Sequence, residues 1–170
     1  TLSQVGGDDD TCSTDLYFDG CTISYNVSQR IQLPAGWSYF SSHIVEQDQT
    51  PDRLFGSIQD DVIILKAAIG DVWWPQFGIM TLNEINVGEG YSIQMAQELT
   101  HTLRGARPAA ETPIPLKQGW QILGYNRTYP ASASDVFADF AHDGHLVILR
   151  GNENGVYWPE YNLNTIGHMK

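Results

Sequence analysis

The feature that most constrains this chain is a pair of aromatic landmarks that occurs twice. Leu33-Pro34-Ala35-Gly36-Trp37 returns as Leu116-Lys117-Gln118-Gly119-Trp120. Val72-Trp73-Trp74-Pro75-Gln76-Phe77 returns as Val156-Tyr157-Trp158-Pro159-Glu160-Tyr161. Trp120 follows Trp37 by 83 positions, and Trp158 follows Trp74 by 84. Two landmarks returning at nearly one offset point to internal duplication. A chain of 170 residues then divides into modules of roughly 80 residues, a size that folds with modest burial.

The expected architecture is mainly β with one short helix per repeat, a β-rich α+β fold built as two tandem pseudo-symmetric modules. Residues 1–30 read as a polar leader that ends in a strand. Residues 31–105 form the first module, 106–113 a Pro-containing linker, and 114–170 the second module.

Local signals support this division. Cys21 to Val27 alternates in the strand manner. Trp37-Ser38-Tyr39-Phe40 reads as a strand entered from the Gly36 turn. Thr50 before Pro51 is a helix start, with Leu54, Phe55 and Ile58 as its buried stripe. Val62 to Leu65 is an unbroken apolar run, the mark of a strand covered on both faces. Gly70-Asp71 makes a hairpin turn into Val72. Tyr91 to Met95 and Leu99 to Leu103 alternate as strands, the latter stopped by Gly105. The second module repeats the plan. Trp120 to Leu123 is the first strand, and Ser134-Asp135 caps a helix carrying Val136, Phe137 and Phe140. Leu146 to Leu149 is the buried strand, and Asn154-Gly155 is the hairpin turn.

The second copy then ends early. Ile166 to Lys170 aligns with Leu82 to Asn86, and nothing follows that matches Gly88-Glu89-Gly90-Tyr91 and the two strands after it. The second module is incomplete, with an open sheet edge. The missing part lies beyond a truncation or a cleavage, or another segment fills the edge: the 21–27 strand of this chain, or a strand from a neighbouring chain.

Charge narrows the partners. Nine Lys and Arg stand against 20 Asp and Glu, a net of −11. Phosphate backbones and anionic membrane surfaces are repelled, so no nucleic-acid partner is expected. No apolar run reaches membrane-spanning length, so no membrane insertion is expected. Cys12 and Cys21 close a short polar loop and read as a local disulfide of an oxidising compartment. Asn26-Val27-Ser28 and Asn126-Arg127-Thr128 are glycosylation sequons if the setting is eukaryotic. Thr1 is not an initiator Met, so the chain reads as processed or as part of something longer.

The Pro-x-Gly-Trp string, the short helix, Val62-Ile63-Ile64-Leu65-Lys66, the Trp-Pro-x-Phe/Tyr landmark and Gly88-Glu89-Gly90-Tyr91 together resemble a repeat of large secreted and surface proteins of marine Bacteroidetes, with related modules in phage structural proteins. The resemblance spans residues 31–103 fully and 114–170 in part. It implies an extracellular repeat module and carries no catalytic residues.

Catalytic chemistry finds little support. There is no Gly-x-Ser-x-Gly elbow and no catalytic cysteine setting. Gly88-Glu89-Gly90 lacks the third glycine and the following helix of a dinucleotide fingerprint. His142-Asp143-Gly144-His145 lacks the helical His-Glu-x-x-His spacing of a zinc protease. Asp60-Asp61 and Glu84 with Glu89 are carboxylate pairs, yet Asp60 and Asp61 align with Gly144 and His145, so the acids do not recur. Asp8-Asp9-Asp10, with Asp15 and Asp19, reads as a solvated leader. It lacks the ligand spacing of a calcium loop, so Ca2+ is only a weak alternative to no cofactor.

The aromatics remain. Trp73 and Trp74 are adjacent on a strand and point to opposite faces, one toward the core. Tyr157 and Trp158 repeat the arrangement, and Pro75 and Pro159 mark a strand end. An outward ring there can stack on a sugar or dock a chain. Trp37 and Trp120, beside glycine, read as structural. The expected function is non-enzymatic: an extracellular or cell-surface structural or adhesive repeat module in a larger assembly, completed by strand addition from other protein chains. The alternatives are a phage or virus fibre or capsid-decoration subunit in a virion, and a carbohydrate-binding module using Trp73, Trp74, Tyr157 and Trp158.

Overall fold

A computed structural model describes residues 16–19, 22–109, 112–127, 129–151 and 154–169. Cys12, Cys21 and the acidic leader lie outside the described residues, as does Thr128 of the second sequon. The chain is mainly β, in several small sheets, and its α-helical segments are short.

The first half contains β1 (Leu16–Asp19), β2 (Thr22–Leu33), β3 (Gly36–Ser41), α1 (Pro51–Phe55), β4 (Val62–Lys66), β5 (Val72–Trp74), β6 (Ile79–Met80), β7 (Gly90–Met95) and β8 (Leu99–Ala106). Five of these strands form one sheet in the order β3-β7-β4-β5-β6. The strand expected from Cys21 to Val27 continues to Leu33 and pairs antiparallel with β8, from Asn26 opposite Ala106 to Leu33 opposite Leu99. Residues 22–27 therefore sit beside β1 and β8 and do not fill an edge of the second half.

Each element follows from its residues. At α1 the Thr50 hydroxyl accepts the Arg53 N–H at 3.3 Å, and Pro51 takes the first helical position, where its missing N–H costs nothing. Leu54 and Phe55 turn inward. In β2 and β8 alternate residues Ile31, Leu33, His101 and Leu103 are buried, as the two-residue period of a strand requires. His101 Nε2 lies 2.7 Å from the Leu54 carbonyl oxygen. A carbonyl only accepts, so that nitrogen carries the proton. Phe55 is fully buried among Phe40, Trp73 and His101, with ring centroids 5.2, 6.5 and 5.2 Å away. α1 thus joins the five-stranded sheet to the β2–β8 ladder around one core.

Gly105 does not stop β8, which runs to Ala106. The glycine is needed because Val45 crosses here, exchanging backbone hydrogen bonds of 2.8 Å with Ala106 in both directions. A Cβ on Gly105 would lie 2.4 Å from the Val45 carbonyl oxygen.

The second half contains β9 (Ala131–Ser132), α2 (Ala133–Val136), α3 (Ala138–His142), β10 (Leu149–Arg150), β11 (Val156–Trp158), β12 (Leu163–Asn164) and β13 (His168–Met169). Strands β10-β11-β12 form one sheet, and β9 pairs with β13. Three expectations fail here. No strand forms over 120–122, and Leu123 makes only an isolated bridge to Glu89. The apolar run Leu146–Ile148 is irregular, with Val147 69% exposed. The helix starts after Ser132, which makes no side-chain capping bond, rather than at Ser134; it breaks at Phe137 and leaves Val136 and Phe140 exposed. One cause covers the two missing strands. In the first half β3 and β4 are both laid down against β7, and no described strand takes that position in the second half. The helix lacks its cover likewise, since no ladder like β2–β8 packs over it. Among the described residues from 112 onward, Ala133 and Tyr157 are the buried hydrophobic ones.

The halves meet at Gly88-Glu89-Gly90. The Gly90 N–H donates to the Ile122 carbonyl and the Gly124 N–H to the Gly88 carbonyl, both at 2.9 Å. A Cβ on Gly90 would lie 2.3 Å from Ile122 Cγ2, so this approach demands glycine.

Phe55→Ala should cost about 3–5 kcal/mol, the range for emptying a buried aromatic site. Val147→Ala should change stability by less than about 0.5 kcal/mol. Denaturant titration of both variants checks the contrast. Tyr91 is a further test. Its buried hydroxyl donates to Glu89 Oε2 at 3.0 Å and accepts the Asn86 N–H at 2.7 Å. Burial, together with the Glu89 carboxylate, pushes its pKa well above the usual phenol range, so it remains a donor at any working pH. Tyr91→Phe should cost about 0.5–1.5 kcal/mol in the same titration, because it removes the hydrogen bonds to Asn86 and Glu89.

Candidate interaction site

The Trp-Pro landmarks build the same local structure twice. In the first half Trp73 pairs with Leu65 and Met80, and Trp74 with Ile79. In the second half Tyr157 pairs with Leu149 and Asn164, and Trp158 with Leu163. Every partner is displaced by the same 84 positions. Pro75–Phe77 and Pro159–Tyr161 each form a single 3-10 turn, closed by left-handed Gly78 and Asn162. The Thr81 hydroxyl accepts the Val72 N–H at 2.9 Å, and the Thr165 hydroxyl accepts the Val156 N–H at 2.9 Å.

Adjacent strand residues face opposite sides. Trp73 and Tyr157 are accordingly buried, while Trp74 and Trp158 are half-buried on the other face. Trp74 packs edge-on against Phe77 and Trp158 against Tyr161, each at 4.7 Å between centroids. Phe77 and Tyr161 are the rings that reach solvent, at 61% and 65% exposure. The indole N–H groups of Trp74 and Trp158 are buried without a protein acceptor. A cavity of about 210 Å³ lies beside Trp74, bordered by Trp73, Pro75, Met80, Asp52 and Gln59.

A second aromatic pair was misjudged from the sequence. Trp37 and Trp120 are not interior structural residues; they are 55% and 71% exposed. Each meets a cation: Lys66 Nζ lies 5.8 Å from the Trp37 ring centre, and Arg150 Cζ lies 6.0 Å from that of Trp120. Gly36 and Gly119 hold φ of +85° and +104° with open space around them, so backbone conformation alone selects glycine before each Trp. Tyr39, two residues from Trp37 on the same face, is also exposed. The alternation of Trp37 and Tyr39 was the available signal. It fits a strand with those rings outward and Phe40 inward.

The two Trp–cation contacts differ in what lies between them. Trp37 is opposite Gln94 of β7, and Gln94 is opposite Ile64 of β4, so β7 runs between the strands that carry Trp37 and Lys66. Among the described residues no strand runs between Trp120 and Arg150. The cation–ring distance is nearly the same in the two cases. The space between 119–123 and 146–150, where no described strand lies, is a slot. Ile122 and Gly124 direct backbone groups to Gly90 and Gly88. Alternate residues of an extended chain face opposite edges, which leaves Gln121 and Leu123 for the slot.

The carboxylates have other work. Glu89 accepts from Tyr91, and Asp61 Oδ1 accepts the Gln97 amide at 2.7 Å. Asp60 borders a separate cavity of about 460 Å³ with Gln59, Val62 and Gln76. His142 and Asp143 form a solvent-exposed contact of 3.2 Å. Among the described residues no group of three or more His, Cys, Asp or Glu is placed to hold a metal. No described helix is long and apolar enough to cross a membrane. The chain matches no known family model, no curated protein and no solved structure.

Trp74→Phe should leave stability within about 1 kcal/mol of the parent, because removing an unpaired buried donor offsets the lost contact area. Chemical denaturation followed by far-UV circular dichroism checks this.

Proposed function

We propose that the chain is a non-enzymatic structural or adhesive repeat module of an extracellular or cell-surface assembly, made of two tandem pseudo-symmetric units, the second completed by a strand from a neighbouring chain. One observation carries this reading. Leu65 and Lys66 of β4 have β5 on one side and β7 on the other, whereas among the described residues Leu149 and Arg150 of β10 have a strand, β11, on one side only. The matching registers at an offset of 84 support descent of both units from one ancestor, and hence a completed state for the second like that of the first. An unpaired edge with exposed Val147 and Trp120 beside it is the surface on which strand addition acts. A fibre or capsid-decoration subunit of a virion is the same physical device in another setting.

Carbohydrate binding is the second reading, favoured by exposed Phe77 and Tyr161 packed on Trp74 and Trp158. Retention on polysaccharide that is lost in the Phe77→Ala, Tyr161→Ala double variant would support it.

The principal reading is tested by light scattering on a sizing column over a range of concentration. The chain should form assemblies as concentration rises, and Val147→Lys should shift the association constant by at least about tenfold, since an edge lysine opposes strand addition. A chain that stays monomeric at every concentration argues against association through this edge.

A further inference from the structure

Resting on the strand-addition reading, we infer that the slot takes one particular kind of occupant. It is an antiparallel strand from a neighbouring chain with the pattern of β7, Gly-aromatic-polar-apolar-polar-apolar. The template is in the same molecule. On β4, Met95 sits opposite Val62, Gln94 opposite Ile64, Ile93 opposite Leu65 and Ser92 opposite Lys66. On β3, Met95 sits opposite Gly36 and Gln94 opposite Trp37. Carried over at the offsets of the two walls, the residue in the Gln94 position lies between Trp120 and Ile148. Residues in the Ile93 and Ser92 positions then lie opposite Leu149 and Arg150. The Met95 position falls between Gly119 and Leu146.

The pattern follows from the faces of the sheet. In β7 the side chains of Tyr91, Ile93 and Met95 are buried, and those of Ser92 and Gln94 are only half-buried. An added strand must do the same: place apolar residues toward Tyr157 and polar residues under the Trp120–Arg150 contact. Charge agrees. The chain carries −11 overall, yet Arg150 is the charged side chain at the slot. A neutral strand there brings no acidic group to a protein already in acidic excess. No described strand of the chain itself is spare, since β2 lies against β1 and β8, and β7 between β3 and β4.

The experiment uses the whole chain and a synthetic peptide with the sequence of residues 90–97, which has no acidic side chain. Binding is followed by Trp fluorescence and by amide hydrogen exchange. The expected result is one peptide per chain, with exchange at Gln121, Leu123, Ile148 and Arg150 slowed by about tenfold or more and the first half unchanged. Ile148→Pro, which removes an edge N–H, should abolish binding. A peptide with the Ile93→Asp change should fail on the parent protein, which tests the pattern without altering the fold. If the chain associates through the Val147 edge but the peptide neither binds nor competes, the occupant is of another kind and this inference falls while the strand-addition reading stands. If the Ile148 and Arg150 amides, which point away from β11, are already protected in the free monomer, the slot is closed from within, and both fall together.

Discussion

The arrangement depends on the placement of one strand. β7 accepts β3 on one edge and β4 on the other, and its inward side chains Tyr91, Ile93 and Met95 are among the most buried in the molecule. A central strand does two things an edge strand does not. It satisfies the backbone groups of two neighbours, and it places its apolar residues at the middle of the core rather than at its rim. Around Tyr91 and Ile93 the aromatic cluster of Phe40, Phe55 and Trp73 closes, and α1 binds that cluster to the second ladder through His101.

Where that strand is missing, the effect is local. The β10-β11-β12 hairpins keep the pairings, the 3-10 turn, the left-handed closing residue and the threonine hydrogen bond of their counterparts. These features need contacts only within about fifteen residues, so short-range chemistry suffices. The residues that lose regular structure are those whose counterparts touch β7. Their exposure follows: covering a side chain such as Val147 or Trp120 is worth about 1.5–3 kcal/mol, and nothing in the described chain supplies that cover.

Much of the first half was legible from its residues. Thr50-Pro51 marks the α1 start because capping is a local bond, and Tyr91–Met95 shows its period because one face is buried. Gly105 misled because glycine reads as a stop, whereas here it admits the Val45 backbone. That contact joins residues sixty apart and leaves no local trace. Trp37 and Trp120 misled in the opposite sense: a large apolar ring beside glycine suggests a core turn, but the alternation with Phe40 turns it outward. In the second half, Trp120–Leu123 and Leu146–Ile148 carry strand-like composition without a strand. Composition records what a segment can pair with; pairing needs the neighbour to be there. The helix signal at Ser134 failed for a related reason, since the Ser134 hydroxyl engages Ser132 at 2.7 Å instead of a helix N–H.

That mismatch between composition and conformation bears on function. A segment that had lost any need to pair would drift toward polar residues and proline, which blunt an edge. Leu146-Val147-Ile148-Leu149 holds four apolar residues in a row and no charge, and Arg150 lies 6.0 Å from the Trp120 ring centre. A solvent-facing edge of that kind is an aggregation hazard unless it is covered. On the strand-addition proposal, that edge is covered in the working state. That is why the occupied slot of the first half is the better guide to the second than the open one is.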